Sequence, residues 1–284
     1  MIVAPMRALF LALSVCAVLS GCANSLLATQ PSALDASSSA ITKAQLDALG
    51  PFDVLLLGEQ HDAKAHQQIH RHAITVLAQR GSLAAVALEM ADVGGSTAAL
   101  SPSATEQQAQ SALNWNDDAW PWAAYGPAVM AAVRAGVPVL GANLPQREMR
   151  AKMLEAALDG QLPASALTAQ QQLIRVGHCN LLPESQITPM TRIQIARDMI
   201  MANTLVKVSL PGKVAVLLSG SAHTDRLLGV PQHLPASLKV KAVRLRAGDA
   251  AADDKAEAFD AVWATPALPE KDYCAEFKKQ MGMK

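Results

Sequence analysis

The stretch LLLGEQHDAKAHQQIHRH, from Leu55 to His72, holds four of the chain's seven histidines directly behind an apolar run. That run, FDVLLLG at 52–58, is short and almost entirely apolar, which is typical of a strand buried on both faces. Residues 63–80 then place apolar side chains on one stripe, and Gly81 follows at the point where a helix would end. The stretch therefore predicts a buried strand that leads directly into an amphipathic helix.

The same alternation continues along the chain. Further strand-like apolar runs lie at 83–90, 137–143 and 213–221. Helical patterns lie at 125–136 and 190–209. Such alternation predicts an α/β fold, with a mainly parallel sheet flanked by helices. The segments near 95–122 and 150–190 fit the pattern poorly, and we expect them to be helical insertions or a subdomain.

Composition excludes two broad classes of protein. Of the 284 residues, 51% are hydrophobic, so the chain can bury a sizeable core and is not a disordered tail. Lysine plus arginine equals aspartate plus glutamate, 24 each, and no basic stripe carries aromatic residues. The electrostatic footprint of nucleic-acid binding is therefore missing, and we expect no nucleic-acid partner.

The first residues indicate export and lipid attachment. An apolar run too short to span a bilayer comfortably precedes LSGC, from Leu19 to Cys22, and this order is typical of a secretory signal with a lipobox. We therefore predict a signal peptide at 1–21, a tether at 22–40 lipidated on Cys22, and one domain at 41–284. Ala23, where aspartate would favour inner-membrane retention, favours the outer membrane with the domain facing the periplasm. The alternative is a plain secretory signal in which Cys22 is incidental.

Outside the cytoplasm, the remaining cysteines take on a different meaning. Removing Cys16 with the signal and committing Cys22 to lipid leaves Cys179 and Cys274 in an oxidising compartment. We expect these two to form a disulfide. The alternative is a pair of buried free thiols, because sequence does not show whether the two α-carbons approach each other.

Several chemically active side chains follow the predicted strands. In a parallel sheet, ligands bind outside the carboxyl ends of the strands. This rule brings together Glu59, His61, Glu89, Asn143 and His223, which lie far apart in sequence. The sequence therefore predicts one polar site at this edge of the sheet.

The histidines of the first helix differ in their predicted surroundings. His66 lies in the first turn and is expected to point back towards the strand ends. His70, one turn later on the same stripe, is expected to be packed or partly exposed, whereas His72 is expected at the surface. His233, in a loop, is also expected at the surface.

Each site residue also has a purely structural interpretation. Glu59 and Asp62 can serve the dipole and the N-terminal cap of the helix that follows them. His223 can cap the segment after the fourth strand. The sequence contains no His-Glu-x-x-His zinc helix, no phosphate-binding glycine loop and no Gly-x-Ser-x-Gly nucleophile turn.

A family resemblance adds to this interpretation. In order along the chain, LLLGEQHDAKAH, VALEM, WPWAAYGP, GVPVLGANLP, GHCNLLP, MTRIQIARDMIMANTL, SGSAHTDRLLGVPQHL and AFDAVWATPALPEKDYC resemble the ChaN-like family of haem-binding bacterial lipoproteins. The resemblance runs from about Phe52 to Cys274. It implies an α/β fold with a helical subdomain, a role in haem or iron uptake at the outer membrane, and a homodimer that holds haem. An outer-membrane haem receptor is a further partner that such a role implies.

The resemblance extends to a wider group that includes erythromycin-esterase-like and Tiki-like proteins. In that group, Gly-Glu-x-His and Gly-x-x-His motifs build a hydrolytic site, and the segments at 58–61 and 220–223 match both. Many members carry paired histidines after the first motif, whereas here His66 is followed by Gln67. This departure weakens the transfer of a role to that second position.

Haem binding would require an axial ligand, apolar walls and donors for the propionates. Tyr125 is the expected axial ligand, since the only other tyrosine, Tyr273, neighbours the expected disulfide. Three histidines are alternatives, either as iron ligands or as hydrogen-bond donors to a propionate: His61, His66 and His223. Arg147 is expected to pair with a propionate in bidentate fashion.

Two functions from different classes therefore compete. The first is a haem carrier or receptor without catalytic activity. The second is a hydrolase that depends on histidine or a divalent metal ion, with Glu59 or Glu89 as general base and His61 or His223 as proton shuttle or metal ligand.

Overall fold

In the part of the chain that the structure describes, a six-stranded parallel sheet lies between two helical layers. A computed structural model describes residues 42–248 and 257–282. The strands are β1 Val54–Glu59, β2 Leu83–Asp92, β3 Val139–Asn143, β4 Val214–Gly220, β5 Val240–Ala247 and β6 Ala261–Thr265. They are ordered β3-β2-β4-β1-β5-β6, and every neighbouring pair is parallel. The predicted signal peptide, Cys22 and the tether lie outside the described residues.

Helices connect most of the strands. They are α1 at 42–48, α2 Lys64–Gln79, α3 Glu106–Ala112, α4 Trp122–Arg134, α5 Gln146–Leu154, α6 Ala164–Gly177, α7 Glu184–Val208 and α8 Tyr273–Gln280. Short 3-10 turns occur at Ala156–Gly160, Ser221–Thr224 and Val230–His233. Within 42–248 and 257–282, no helix is both long and apolar enough to cross a membrane.

The two faces of the sheet are covered by different helices. Successive side chains of a strand point to opposite faces, so Leu55 and Leu57 of β1 pack in the layer formed by α2 and α4. Val54 and Leu56 point the other way and pack against Leu205 and its neighbours on α7. β1 is therefore buried on both sides, which explains why its sequence is a continuous apolar run.

The connections of β1 and β4 create a crevice at the carboxyl edge of the sheet. The chain leaving β1 passes through α2 to β2, on the far side of β4. The chain leaving β4 runs instead to β5, on the far side of β1. Because two adjacent strands send their chains in opposite directions, their carboxyl ends form the kind of switch point at which ligands bind.

The predicted α/β fold with a parallel sheet is confirmed, but two strands were missed. β5 alternates charged and apolar residues in KAVRLRA, and β6 is only five residues long, so neither gives a long apolar run. The helix predicted to begin at residue 190 begins instead at Glu184, and Pro189 lies inside it. The segment 150–190 carries parts of α5, α6 and α7, whereas 95–122 carries mainly α3 and turns.

The expected disulfide is present and fixes α8 near the carboxyl edge. Cys179, just after α6, is bonded to Cys274 of α8, with the two α-carbons 5.6 Å apart. The hydroxyl of Tyr273 donates to Asp62 Oδ2 at 2.7 Å, and Gln60 Nε2 donates to that hydroxyl at 3.3 Å. Asp62 therefore binds α8 and does not cap α2, whose N-cap residue is Ala63.

Removing this disulfide should destabilise the protein. We expect Cys274→Ala to lower the free energy of unfolding by about 2 to 4 kcal/mol, because the bond closes a loop with a sequence separation of 95 residues. Urea denaturation without reductant measures the effect, and wild-type protein with reductant is the matched control. Equal transition midpoints for oxidised wild-type and variant proteins would contradict the expectation.

Candidate functional site

A buried carboxylate ends β1 and holds two donors. Glu59 is 1% exposed. Its Oε1 accepts a hydrogen bond from the Tyr125 hydroxyl at 2.7 Å and another from His61 Nδ1 at 2.8 Å. On the same side, His70 Nδ1 lies 3.5 Å from Glu59 Oε2. Groups from α2, α4 and the loop after β1 thus surround the Glu59 carboxylate.

A second buried carboxylate lies on the other face of the sheet. Glu89 Oε1 is 3.3 Å from His223 Nε2, and His223 Nδ1 is 2.6 Å from Asp198 Oδ1 on α7. The backbone N–H of Gly220 donates to Glu89 Oε2 at 2.7 Å. Both nitrogens of His223 are therefore engaged by carboxylates.

His61 joins these two clusters around the edge of the sheet. Its Nδ1 donates to Glu59, and its Nε2 lies 3.9 Å from Glu89 Oε2. A β-carbon on Gly220 would come within 2.9 Å of that Nε2, so a larger residue at this position would require the ring to shift. We call the resulting series of alternating imidazoles and carboxylates the strand-edge relay: His70, Glu59, His61, Glu89, His223 and Asp198.

The surroundings of Glu89 and His223 in the relay strongly shift the pKa values of both side chains. Burial disfavours a charged His223, yet the nearby Glu89 and Asp198 carboxylates raise its pKa to about 10. Burial also disfavours charge on Glu89, but the His223 imidazolium lowers the pKa of Glu89 to about 2. This pair is therefore ionic at neutral pH.

The other members of the relay respond to the same two forces. Burial raises the pKa of Asp198 to about 6, although His223 acts in the opposite direction. Burial also opposes charge on His61, but its hydrogen bond to Glu59 and the charge of Glu89 raise the pKa of His61 above its ordinary value. For His70, burial outweighs the attraction of Glu59, and the pKa is lowered.

The relay borders a cleft of about 740 Å³. His61 is its most accessible member, with 38% of its side chain exposed, whereas the other side chains of the relay are buried. The cleft wall also carries three arginines: Arg197, Arg244 and Arg246. Acidic, imidazole and guanidinium groups therefore meet in one concave site.

Aromatic residues also pack around His61. The ring of His61 lies edge-on to Trp120 at 4.9 Å, and Trp120 lies edge-on to Tyr125 at 5.9 Å. Trp120 also borders a neighbouring cavity of about 540 Å³ that His61 shares. The imidazole thus borders both the cleft and a second cavity that contains Trp120 and Tyr125.

The structure brings together most of the residues expected at the strand ends. Glu59, His61, Glu89 and His223 all line the cleft. Asn143 instead borders an adjacent pocket of about 260 Å³, which Glu89 also lines.

Three of the residues expected to bind haem lie in unsuitable positions. Tyr125 is 2% exposed and already donates to Glu59; burial and the Glu59 charge raise its pKa, which disfavours a phenolate ligand. His66 is buried between the backbone N–H of Gln60 and Thr265, and burial lowers its pKa to about 4. Arg147 is 77% exposed, contacts Glu148 and does not border the cleft.

Sequence reasoning also misplaced His72 and missed part of the site. His72 was expected at the surface but is buried, with Nε2 3.0 Å from Arg71 Nη2. Asp198 was missed because it lies in the middle of a long helix; its only signal is an acid on the buried side of α7. Arg244 and Arg246 were missed with β5.

Among the described residues, no group of three or more histidine, cysteine, aspartate or glutamate side chains is arranged to hold a metal ion.

Comparison with known proteins identifies the family. Residues 46–234 match the model of a family described as haem-binding uptake, Tiki superfamily, ChaN. The chain belongs to the ChaN family. No curated protein sequence matches it.

One of two similar solved structures supports the same assignment. One that reports cofacial heme binding to ChaN of Campylobacter jejuni is 26% identical, with a TM-score of 0.61, over 76% of this chain and 88% of that chain. The type III effector HopBA1 also aligns, over 78% of this chain and 92% of that chain, at 14% identity and a TM-score of 0.40. That second similarity is too low to support an inference.

The ionic core of this ChaN-family site predicts a defined pH dependence of stability. The folded pKa of His223 is about 10 against an ordinary 6.5, so its stabilising contribution is complete below pH 6.5 and is lost as pH rises towards 10. We therefore expect the free energy of unfolding to fall between about pH 6.5 and about pH 8.5.

Urea denaturation at both pH values measures this slope. His223→Gln should remove most of it and lower stability by about 3 to 5 kcal/mol, because Glu89 and Asp198 lose their shared cation. His233→Gln is the control and should keep the slope. A wild-type stability that does not change over this range would contradict the ionic pair.

Proposed function

We propose that the protein binds haem in the strand-edge cleft, with His61 as the axial ligand, and serves haem or iron uptake at the bacterial outer membrane. Membership of the haem-binding ChaN family supports the ligand. The observation that carries the proposal is the orientation of His61, whose Nδ1 is fixed by Glu59 while the ring borders the cleft. A histidine ligand is commonly held in this way, with its other nitrogen donating to a carboxylate.

The residues present fit the chemistry of haem. Of the four candidate ligands from the sequence, His61 is the one we propose, because the other three are buried and engaged: Tyr125 by Glu59, His66 by Gln60 and Thr265, and His223 by Glu89 and Asp198. A cleft of about 740 Å³ lies within the range of cofactor sites. Bound haem would supply an iron centre. A haem carrier needs only to shield that centre from water and then release the haem.

Replacing His61 tests the ligand. Hemin titrated into wild-type protein should give a saturable Soret shift, and His61→Ala should weaken binding by at least about 100-fold, since even a residue that only supports a metal ligand contributes about 10- to 100-fold. His233→Ala, outside the cleft, is the control.

The same titration should depend on pH. Because the pKa of His61 lies above its ordinary value, a proton competes with iron, and wild-type affinity should fall as the pH drops below neutral. Unchanged affinity and spectrum in His61→Ala would remove His61 as the ligand.

A hydrolase remains a second candidate because of one observation. The Glu59–His61 pair has the form of a carboxylate-oriented general base, and Glu89 lies 3.9 Å beyond it. His223 does not fit the role of base, because a pKa of about 10 keeps it protonated at neutral pH. A divalent metal in the isolated protein, or turnover of ester substrates that His61→Ala abolishes, would favour this candidate over the carrier.

A lipid anchor on Cys22 would place the cleft at the outer membrane. The lipobox and the following tether support this part of the proposal, since several acyl chains give stable anchoring. Cys22→Ser should leave a precursor or a soluble periplasmic form. Fractionation of cells checks this, and a variant that stays in the membrane fraction like the wild type would contradict it.

Haem bound at this edge would need a second surface. The cleft is open, and a macrocycle has two broad faces, so a second copy of the chain can cover the face that the first leaves exposed. The cofacial heme binding reported for the Campylobacter jejuni protein supports a ligand-linked homodimer here. An outer-membrane haem receptor would then be the donor of the ligand.

A further inference from the structure

Helix α8 links the loop after β1 to the end of α6. On the side of the loop, the hydroxyl of Tyr273 donates to Asp62 and accepts from Gln60. On the side of α6, the next residue of α8, Cys274, is bonded to Cys179. We call α8 with these two attachments the α8 clasp.

The two elements that the clasp joins both border the cleft. The loop lines it with Gln60 and His61, and α6 lines it with Gly177, its last residue. The attachment at Cys179 lies only two residues beyond Gly177. The clasp therefore limits how far the loop that carries His61 can move relative to α6.

Apolar packing contributes little to the clasp. Residues 273–279 are all exposed except Phe277, which is half-buried with its ring edge-on to His178 at 5.6 Å. An isolated helix of eight residues is only marginally stable in water. The hydrogen bonds of Tyr273 lie at the surface, where water competes for the same groups. The position of α8 therefore depends mainly on its covalent bond.

This bond is accessible to a reductant. Cys274 is exposed and Cys179 is half-buried. Exposed disulfides exchange with thiolates more readily than buried structural ones. A dithiol reductant would attack one sulfur and release the other as a thiolate, and its second thiolate would then resolve the mixed disulfide. The dithiol leaves as a disulfide, and the chain gains two electrons and two protons as two thiols.

We infer that the Cys179–Cys274 bond is a redox switch that controls the loop carrying His61. With the bond intact, Tyr273 is held against Asp62 and Gln60 and restrains the loop. After reduction, α8 detaches and the loop loses both of these hydrogen bonds.

Reduction leaves the orientation of the His61 ring in place. Its Nδ1 still donates to Glu59, and its backbone carbonyl still accepts from Gln67 Nε2 at 2.8 Å. The switch therefore changes how freely the loop moves and how fast a ligand leaves, and it does not change which atom meets the ligand. This consequence for a ligand rests on the proposed haem-binding function, whereas the release of α8 does not.

Hydrogen exchange followed by mass spectrometry tests the switch without a ligand. In the purified full-length protein, reduction with dithiothreitol should speed exchange of the α8 amides at least about tenfold, because the detached helix is too short to stay folded. Exchange in the loop at 60–62 should also rise, whereas the amides of β4 should be unchanged. Reoxidation should restore both segments, which distinguishes the switch from misfolding.

Tyr273→Phe is the matched variant for the exchange measurement. It keeps the disulfide and removes the hydroxyl, so the loop should exchange faster while α8 stays protected. Unchanged exchange of α8 after reduction would overturn the inference. Release of α8 without any change in the loop would overturn it as well.

The rate of hemin transfer to apomyoglobin tests the consequence for the ligand. Cys179→Ser combined with Cys274→Ser should release hemin at least about tenfold faster than the wild type, since a hydrogen bond to a charged group contributes about that factor. The Soret position should be the same in both. The serine variant replaces dithiothreitol here because thiols also reduce ferric haem. Arg147→Gln is the control, because Arg147 is exposed and outside the cleft.

The outcomes of the two experiments are distinct. A protein that binds no hemin overturns the proposed function, and the exchange measurement then decides the switch by itself. A protein that binds hemin and releases it equally fast with and without the disulfide overturns the inference and leaves the proposed function intact.

Discussion

The position of His61 between two buried carboxylates is the constraint on which the site depends. Glu59 faces the α2–α4 layer and Glu89 faces the α7 layer, and only a group at the carboxyl edge can reach both. Buried carboxylates are costly unless they are paired and hydrogen-bonded. The relay meets this requirement with hydrogen bonds from Tyr125 and His61 to Glu59 on one side and with the His223 ion pair of Glu89 on the other. The two layers are thereby coupled through ionised side chains as well as through apolar packing.

The topology explains why this relay faces a ligand cleft. β1 and β4 are adjacent, and their connections diverge, so the space above their carboxyl ends is left open. Gly220 admits the His61 ring, and the Cys179–Cys274 bond holds α8 beside the loop after β1. The imidazole of His61 and three arginine side chains border this same cleft.

The sequence predicted the parts of the structure that depend on local pattern. Continuous apolar runs revealed β1 to β4, and the strand-end rule gathered Glu59, His61, Glu89 and His223. Local sequence patterns did not predict the contacts between elements that lie far apart in the chain. The sequence suggested Tyr125 as an available ligand, but the packing of α4 places its hydroxyl against Glu59. Asp198 resembles any other polar residue of α7 in the sequence, and only the fold brings it to His223. Arg244 and Arg246 were not predicted at the site, because β5 alternates charged and apolar residues and was not recognised as a strand.

Resonance Raman spectroscopy of the haem-loaded protein tests the central claim most directly, because it reports which atom binds the iron. With His61 as ligand, we expect an iron–histidine stretching band in the reduced protein, shifted by Glu59→Gln because the carboxylate that polarises Nδ1 is lost. Iron–phenolate bands in the oxidised protein would contradict it. They would place the bond on a tyrosine, either Tyr125 after rearrangement or the exposed Tyr273.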